Sequence, residues 1–307
     1  MKAGRAHSVF FGDVAQDEYY LAPHFPVAGD KVIVEALPVQ YGGMVANSAA
    51  IFAHYGLQTS FMSHLNPGAL TQKLLRQLRE LGMNTDHVIF DERVPDSHCI
   101  VLLSGDQHVV IIPQLGITHS EITPAAFEHM AEAEFLVTTI TDAKPFRMGE
   151  QTASEILFAL RERGVQIVMD VDVFNLENQT SGLIDYCDIL FMNTLGERRF
   201  TESGHDIGEC LAAGATAIVV TRDSAGCELH TTNGMTSIPG FPVDVVDVTG
   251  AGDTFSSSFL YAYSTTGDLG EAAEFANAAA ALSVGAVGAR GGMTTPAIVN
   301  NFRSQII

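Results

Sequence analysis

Short β-branched and aromatic runs alternate with longer amphipathic or alanine-rich stretches along most of the chain. Residues 8–12, 59–63, 135–139, 166–170, 189–192 and 217–221 are apolar runs of strand length and predict buried strands. Residues 45–55, 71–81, 150–163 and 206–213 lie between them and predict helices. This alternation predicts an α/β fold: a doubly wound, mostly parallel sheet with helices on both faces. Two places break the rhythm. Residues 31–39 look like a strand that no crossover helix follows. Residues 99–103 and 108–112 flank Ser104-Gly105-Asp106-Gln107, a good hairpin turn. Together they predict a small antiparallel β lid, formed from about residues 18–40 and 97–113. No repeat or linker divides the sequence, so 1–307 is expected to be a single domain.

Composition narrows the function. The chain has 307 residues, 47% of them hydrophobic, which supports a sizeable core. A formal net charge of −20 argues against nucleic acid and anionic membranes as partners, and obliges any anionic substrate to find a local positive site. No run of roughly 18 apolar residues is present, so no transmembrane helix is expected. Gly12-Asp13 cuts short the apolar stretch behind the basic start, which argues against a secretory signal. Cys99, Cys187, Cys210 and Cys227 are scattered without a CxxC pair. They read as reduced thiols of a cytoplasmic protein and not as a zinc site.

Chemistry concentrates at Val243-Asp244-Val245-Val246-Asp247-Val248-Thr249-Gly250-Ala251-Gly252-Asp253-Thr254-Phe255. The pattern predicts a β-branched strand, a glycine turn and an apolar helix. Helix N-termini expose unpaired N–H groups, and Gly250 and Gly252 would let an anion approach the backbone closely. Asp253 stands beside that anion hole, an electrostatic conflict expected where a base must face a phosphate. A dinucleotide fingerprint fails here and no Walker A motif occurs. A second constellation is Tyr41-Gly42-Gly43-Met44-Val45-Ala46-Asn47, where two glycines open a helix and Asn47 offers a donor and an acceptor to a hydroxyl. Taken alone, such a start is more often structural than functional. The third is Gly12 followed by Asp17, a carboxylate able to accept from neighbouring sugar hydroxyls. A turn aspartate is its plain alternative, and Asp13 is a competing candidate.

These three constellations resemble the ribokinase-like (PfkB) carbohydrate kinase family. Asp247-Val248-Thr249-Gly250-Ala251-Gly252-Asp253 is similar to its C-terminal signature, Gly42-Gly43 with Asn47 to its N-terminal one, and Gly12 to Asp17 has its spacing. The resemblance runs from Phe11 to Pro296. It implies an ATP-dependent sugar kinase with Asp253 as base and Gly250, Ala251 and Gly252 as anion hole. Asp17, Gly42, Gly43 and Asn47 would hold the sugar. Asn193, Thr221, Ser224, Gly226 and Asn277 would bind the nucleotide. Magnesium would accompany ATP, with Glu197 linked to its control. A monovalent cation, potassium, would sit at Asp247 near Val284, Val287 and Ala289. The family's lid and its frequent pairing through lid strands imply a homodimer. Three departures stand out: Val248 for the usual threonine, Asp223 for the usual glycine of the nucleotide loop, and Gly196 where an acid is usual, with Glu197 one position along.

The sugar is less legible. Lys31 and Arg93 are the candidate partners for an anionic group. Lys73, Arg76 and Arg79 fall on a solvated helix face, and Lys144 and Arg147 in a loop. This sparseness favours a neutral sugar, whereas Gly29-Asp30-Lys31 and Asp170-Val171-Asp172 resemble sulfofructose kinases. His98 and His108 read as surface residues of the lid hairpin. Two alternatives stay open: a nucleoside kinase of the same superfamily, for which Phe10, Phe11, Tyr19, Tyr41 and Phe174 could clamp a base, and a catalytically silent sugar-binding protein.

Overall fold

The structure, a computed structural model, describes residues 7–105, 107–171 and 182–305. Asp106, Asp172 and Phe174 lie outside them. An eight-stranded sheet forms the centre, in the order Gly234–Pro239, Gly226–Thr231, Ala217–Thr221, Ile189–Asn193, Gln166–Asp170, Phe135–Thr139, Ser8–Phe11, Thr59–Met62. The six strands from Ala217–Thr221 to Thr59–Met62 are parallel, and the other two close the edge as an antiparallel hairpin. All six apolar runs are therefore strands, within one residue of the predicted bounds.

Alternation of side chains across the sheet explains the two cores. Phe10, Phe61, Phe135, Val137 and Phe191 pack on one face against the helices Met44–His54, Ala251–Thr266 and Leu269–Ser283. Val9, Phe11, Met62, Leu136 and Leu190 pack on the other against Pro124–Ala131 and Ala153–Glu162. Both faces are covered, which is why these strands read as continuous apolar runs. Side-chain caps start the helices: Thr152 forms a capping box with Glu155 ahead of Ala153, and Asp268 accepts from Glu271 N ahead of Leu269.

Strand order reverses at Ser8–Phe11, which lies between Thr59–Met62 and Phe135–Thr139. In open α/β sheets ligands bind at the carboxyl ends of the strands around such a reversal. Asp13 and Asp142 follow two of these ends, Phe11 and Thr139.

A second sheet sits beside the first. Ala15–Leu21 is its centre, pairing with Glu35–Ala36, Gln40–Gly42 and His98–Ser104; the last pairs with Gln107–Ile111. The hairpin is present as expected, but the sheet is mixed and not purely antiparallel, since Ala15–Leu21 runs parallel to His98–Ser104, and residues 31–39 are not a strand. Only Glu35–Ala36 pairs, against Leu21 and Tyr20. Pro23, Pro26 and Pro38 remove donors on either side, and the intervening backbone follows an exposed loop. Residues 243–248 are also not a strand. Their β-branched side chains point to strand, but the Val246 and Asp247 N–H groups both go to Val284 O and not to a neighbouring strand. Among the described residues, no helix is long and apolar enough to cross a membrane.

Candidate active site

The helix Ala251–Thr266 begins at Gly250, whose φ of 75° is left-handed. A Cβ there would also lie 2.6 Å from Ala289 Cα, so glycine is required twice over. Gly252 differs. Its φ is ordinary, and a Cβ would meet only open space. First-turn N–H groups have no intrahelical acceptor, so a bare, open Cα beside them is a place for an anion. Asp253 occupies the same turn.

Small residues bring a second helix alongside. Ser257 Oγ donates to Ser48 O at 2.7 Å, and the Tyr55 hydroxyl meets Ser258 Oγ at 2.7 Å. These contacts lock Met44–His54 against Ala251–Thr266 and place Asn47 next to Asp253: Asn47 Nδ2 donates to Asp253 Oδ2 at 2.8 Å. The N-terminus of the Met44 helix is capped from a distance. Asp13 accepts from Met44 N and Val45 N, both at 3.0 Å. The competing candidate Asp13 is thus committed to that helix. Asp17 lies not at the end of the first strand but in the second sheet, opposite Gln40 and Cys99. Its carboxylate lies on the bare face of Gly42, where a Cβ would sit 2.0 Å from Oδ2, and a Cβ on Gly43 would strike Asp13 O.

Arg290, which no sequence pattern singled out, joins these groups. Its Nε donates to Asn47 Oδ1 at 2.8 Å and its Nη1 to Gln77 Oε1 at 2.6 Å. Burial lowers its pKa to about 10, against the opposing pull of Asp253, Asp17 and Asp13, so it stays charged at neutral pH. Burial, with the charge of Asp13, raises Asp17 to about 6; Arg290 and Cys99 oppose the rise. Asp142, also absent from the sequence reading, is pushed to about 7 by burial and by Asp13, against a hydrogen bond from Thr139 Oγ1 at 2.7 Å. Asp13 is raised too, chiefly by burial. Two buried carboxyls that repel one another hold a proton more readily than either alone.

Asp247 buttresses this assembly. Oδ1 accepts from Thr249 N and Oγ1 at 2.9 and 2.7 Å, and Oδ2 from Gly288 N at 2.8 Å. Burial raises its pKa, but those hydrogen bonds outweigh it and the net shift is downward. The loop so pinned carries Ala289, packed on Gly250, and Arg290. Lys31 does not reach the cluster; it is exposed in the loop before Glu35. Arg93 is turned away onto Asp91.

The nucleotide candidates lie at the ends of Ile189–Asn193 and Ala217–Thr221. Asn193 caps the helix Thr194–Glu202 by accepting from Gly196 N at 2.8 Å. A cleft of about 680 Å³ opens there, lined by Asn193, Thr194, Leu195, Glu197, Arg198, Thr201, Glu202 and Asp223. Thr221 ends its strand and Ser224 is exposed in the turn beyond. Gly226, at φ 100°, leaves room for Ile238 O, which a Cβ would approach to 2.2 Å. Asp223 has φ 48°, a left-handed residue where the family motif has glycine. Glu197 is not presented as a free acid: Arg222 Nη2 donates to its Oε1 at 2.9 Å, and the same guanidinium pairs with Glu228. Asn277 is likewise committed, donating to Ile238 O and Pro239 O at 3.1 and 3.2 Å.

A family model for the pfkB family carbohydrate kinases matches residues 5–296. The chain belongs to that family. It is 28% identical over 291 residues to a ribokinase of Bacillus subtilis (strain 168), covering 92% of this chain and 94% of that one. It is 26% identical over 292 residues to an ATP-dependent ribose-1-phosphate kinase of Halopiger xanaduensis (strain DSM 18323 / JCM 14033 / SH-6), covering 94% and 95%. Arabidopsis thaliana ribokinase, solved with ribose and ATP, shares the fold with a TM-score of 0.80 at 24% identity, covering 98% of this chain and 99% of that one. As a pfkB member the chain is a phosphotransferase with a sugar hydroxyl as acceptor.

Proposed function

We propose that this pfkB kinase transfers the γ-phosphoryl group of ATP to a hydroxyl of a small neutral sugar. The observation that carries the reading is Asp253, held by Asn47 in the first turn of a helix whose Gly252 faces open space. An anion fits that turn, and a bound ATP supplies the phosphoryl group there. Asp253 takes the proton as the sugar oxygen attacks phosphorus. The N–H groups of Gly250 and Gly252 neutralise charge on the transferred group, joined by that of Ala251 once it leaves Val248 O. Asp17, Gly42, Gly43 and Asn47 orient the acceptor. Asn193, Thr221, Ser224 and Gly226 line the nucleotide side, where Asn277 acts by stapling its helix to the strand end.

Among the described residues no three His, Cys, Asp or Glu converge on a metal position. Magnesium would enter with the nucleotide phosphates, which is its usual mode. Glu197 reaches it only by leaving Arg222. Potassium beside Asp247 would stiffen the loop that carries Ala289 and Arg290. The second sheet acts as a lid that excludes water over the sugar. Its edge strand Gln107–Ile111 exposes Val109, Val110 and Ile111, and pairing with a second copy would cover this edge. A cytoplasmic location fits the free cysteines.

A coupled ADP-release screen over neutral pentoses, hexoses and ketoses, their phosphates, and nucleosides tests the reading. Turnover of a neutral sugar is expected. Turnover of nucleosides alone would make the chain a nucleoside kinase, and saturable sugar binding without ADP release would make it a sugar-binding protein.

A further inference from the structure

A guanidinium presents Nε–H and one Nη2–H as two parallel donors. Arg93 places both on Asp91, at 2.9 and 2.7 Å. Arg161 does the same with Asp188, at 3.1 and 2.8 Å. In Arg290 this fork is half filled. Nε holds Asn47 and Nη1, on the other edge, holds Gln77, but Nη2 is buried and meets no acceptor. A buried charged donor without a partner is left with its desolvation uncompensated, and such a group calls for a ligand oxygen. Because Nη2–H runs parallel to Nε–H, it points toward the side occupied by Asn47, whose other end is bonded to Asp253.

We infer that Arg290 binds the acceptor and sets its class: Nη2 donates to an oxygen of a neutral polyhydroxylated molecule lying beside Asn47, Asp17 and Asp253. The inference rests on the proposed kinase function and deepens it. A guanidinium only donates and a carboxylate only accepts. A hydroxyl satisfies both, accepting from Arg290 while donating to Asp17. A phosphate or sulfonate in that place would face Asp13, Asp17 and Asp253 against one cation. Lys31 does not change the balance, since it stands in solvent.

Calorimetric titration of the full chain with D-ribose, D-fructose and D-fructose 6-phosphate reads this directly, with ATP as the folding control. Wild type is expected to bind a neutral sugar best. Arg290→Lys keeps the charge without the fork, and Arg290→Gln loses both. Each is expected to weaken that sugar about 30-fold or more while ATP affinity stays within about threefold. Arg290→Lys carries the test should Arg290→Gln fail to fold. Monodeoxy analogues of the preferred sugar add a readout that a merely structural role would not move. One of them is expected to lose about tenfold on wild type and nothing further on Arg290→Lys. Equal sugar affinity in wild type and variants would overturn the inference. So would an unchanged pattern of deoxy penalties, tighter binding of fructose 6-phosphate, or no binding of either neutral sugar. The titration needs no turnover, so sugar binding lost in the variants without any ADP release from wild type would retire the kinase reading and leave Arg290 as a sugar ligand.

Discussion

On the proposed acceptor side of the site, Asp13 caps the helix that carries Asn47, Asn47 holds Asp253, and Arg290 ties Asn47 to Gln77. On the proposed nucleotide side, Asn193, Thr194 and Asp223 line an open cleft, and the charges that stand nearest, Arg222 and Glu197, are paired with each other. The acceptor side is buried and interlocked, and a change in one group moves the next. The nucleotide side is more open, and its charges couple within the local Glu197–Arg222–Glu228 cluster and not with the acceptor side. Chemistry that discriminates among hydroxyls needs fixed donors and acceptors in a dry place. Holding a large charged nucleotide needs backbone and room.

The sharpest way to break this comparison is at the two glycines of the turn. Gly252→Ala is expected to fold with unchanged or slightly higher stability and to lose about 10²-fold or more in kcat, because its methyl fills the space left for the phosphoryl group. Gly250→Ala is expected to cost about 2 kcal/mol or more in denaturant melts, because of its φ of 75° and the contact with Ala289. Equal loss of stability in both variants would contradict the assigned division of labour.

A smaller effect separates the two sides by pH. Asp17 is raised from 3.8 to about 6. A sugar that donates hydrogen bonds to it favours the carboxylate, so binding releases a proton below that value. The KM for sugar is therefore expected to rise as pH falls through about 6 and to level off above it. The KM for ATP should lack this limb, and Asp17→Asn should abolish it at the cost of weaker binding throughout. A pH-independent sugar KM in wild type would remove Asp17 from the acceptor site.

Much of the fold was legible because buried parallel strands are continuous apolar runs, and Phe135–Thr139, Gln166–Asp170 and Ala217–Thr221 appear with the bounds expected. Residues 243–248 misled because β-branching describes a side chain's preference and not whether a neighbouring strand exists. Gly250 to Asp253 stood out because the glycines and the acid are contiguous. Arg290 did not: it lies in a glycine-rich loop without periodicity, and its partner Asn47 is 243 residues away in sequence. Asp142 reads locally as a residue near a helix start, and only the strand order brings it beside Asp13.

The smallest effect belongs to the open side. Asp223→Gly relieves a left-handed aspartate, and is expected to stabilise by about 0.5 kcal/mol in thermal melts. It also removes a negative charge from the nucleotide cleft. A unit charge several ångströms away in water is worth about 0.7 kcal/mol, so the KM for ATP should fall about threefold while the sugar KM stays put. A shift in sugar KM would show that the two sides are coupled after all.

The central claim is that Asp253 removes the proton from the acceptor hydroxyl. Single-turnover phosphoryl transfer by Asp253→Asn, with ATP and sugar saturating and ATP affinity measured on the same sample, tests it most directly. The rate is expected to fall by about 10³-fold or more with ATP affinity retained. Transfer at close to the wild-type rate would contradict it.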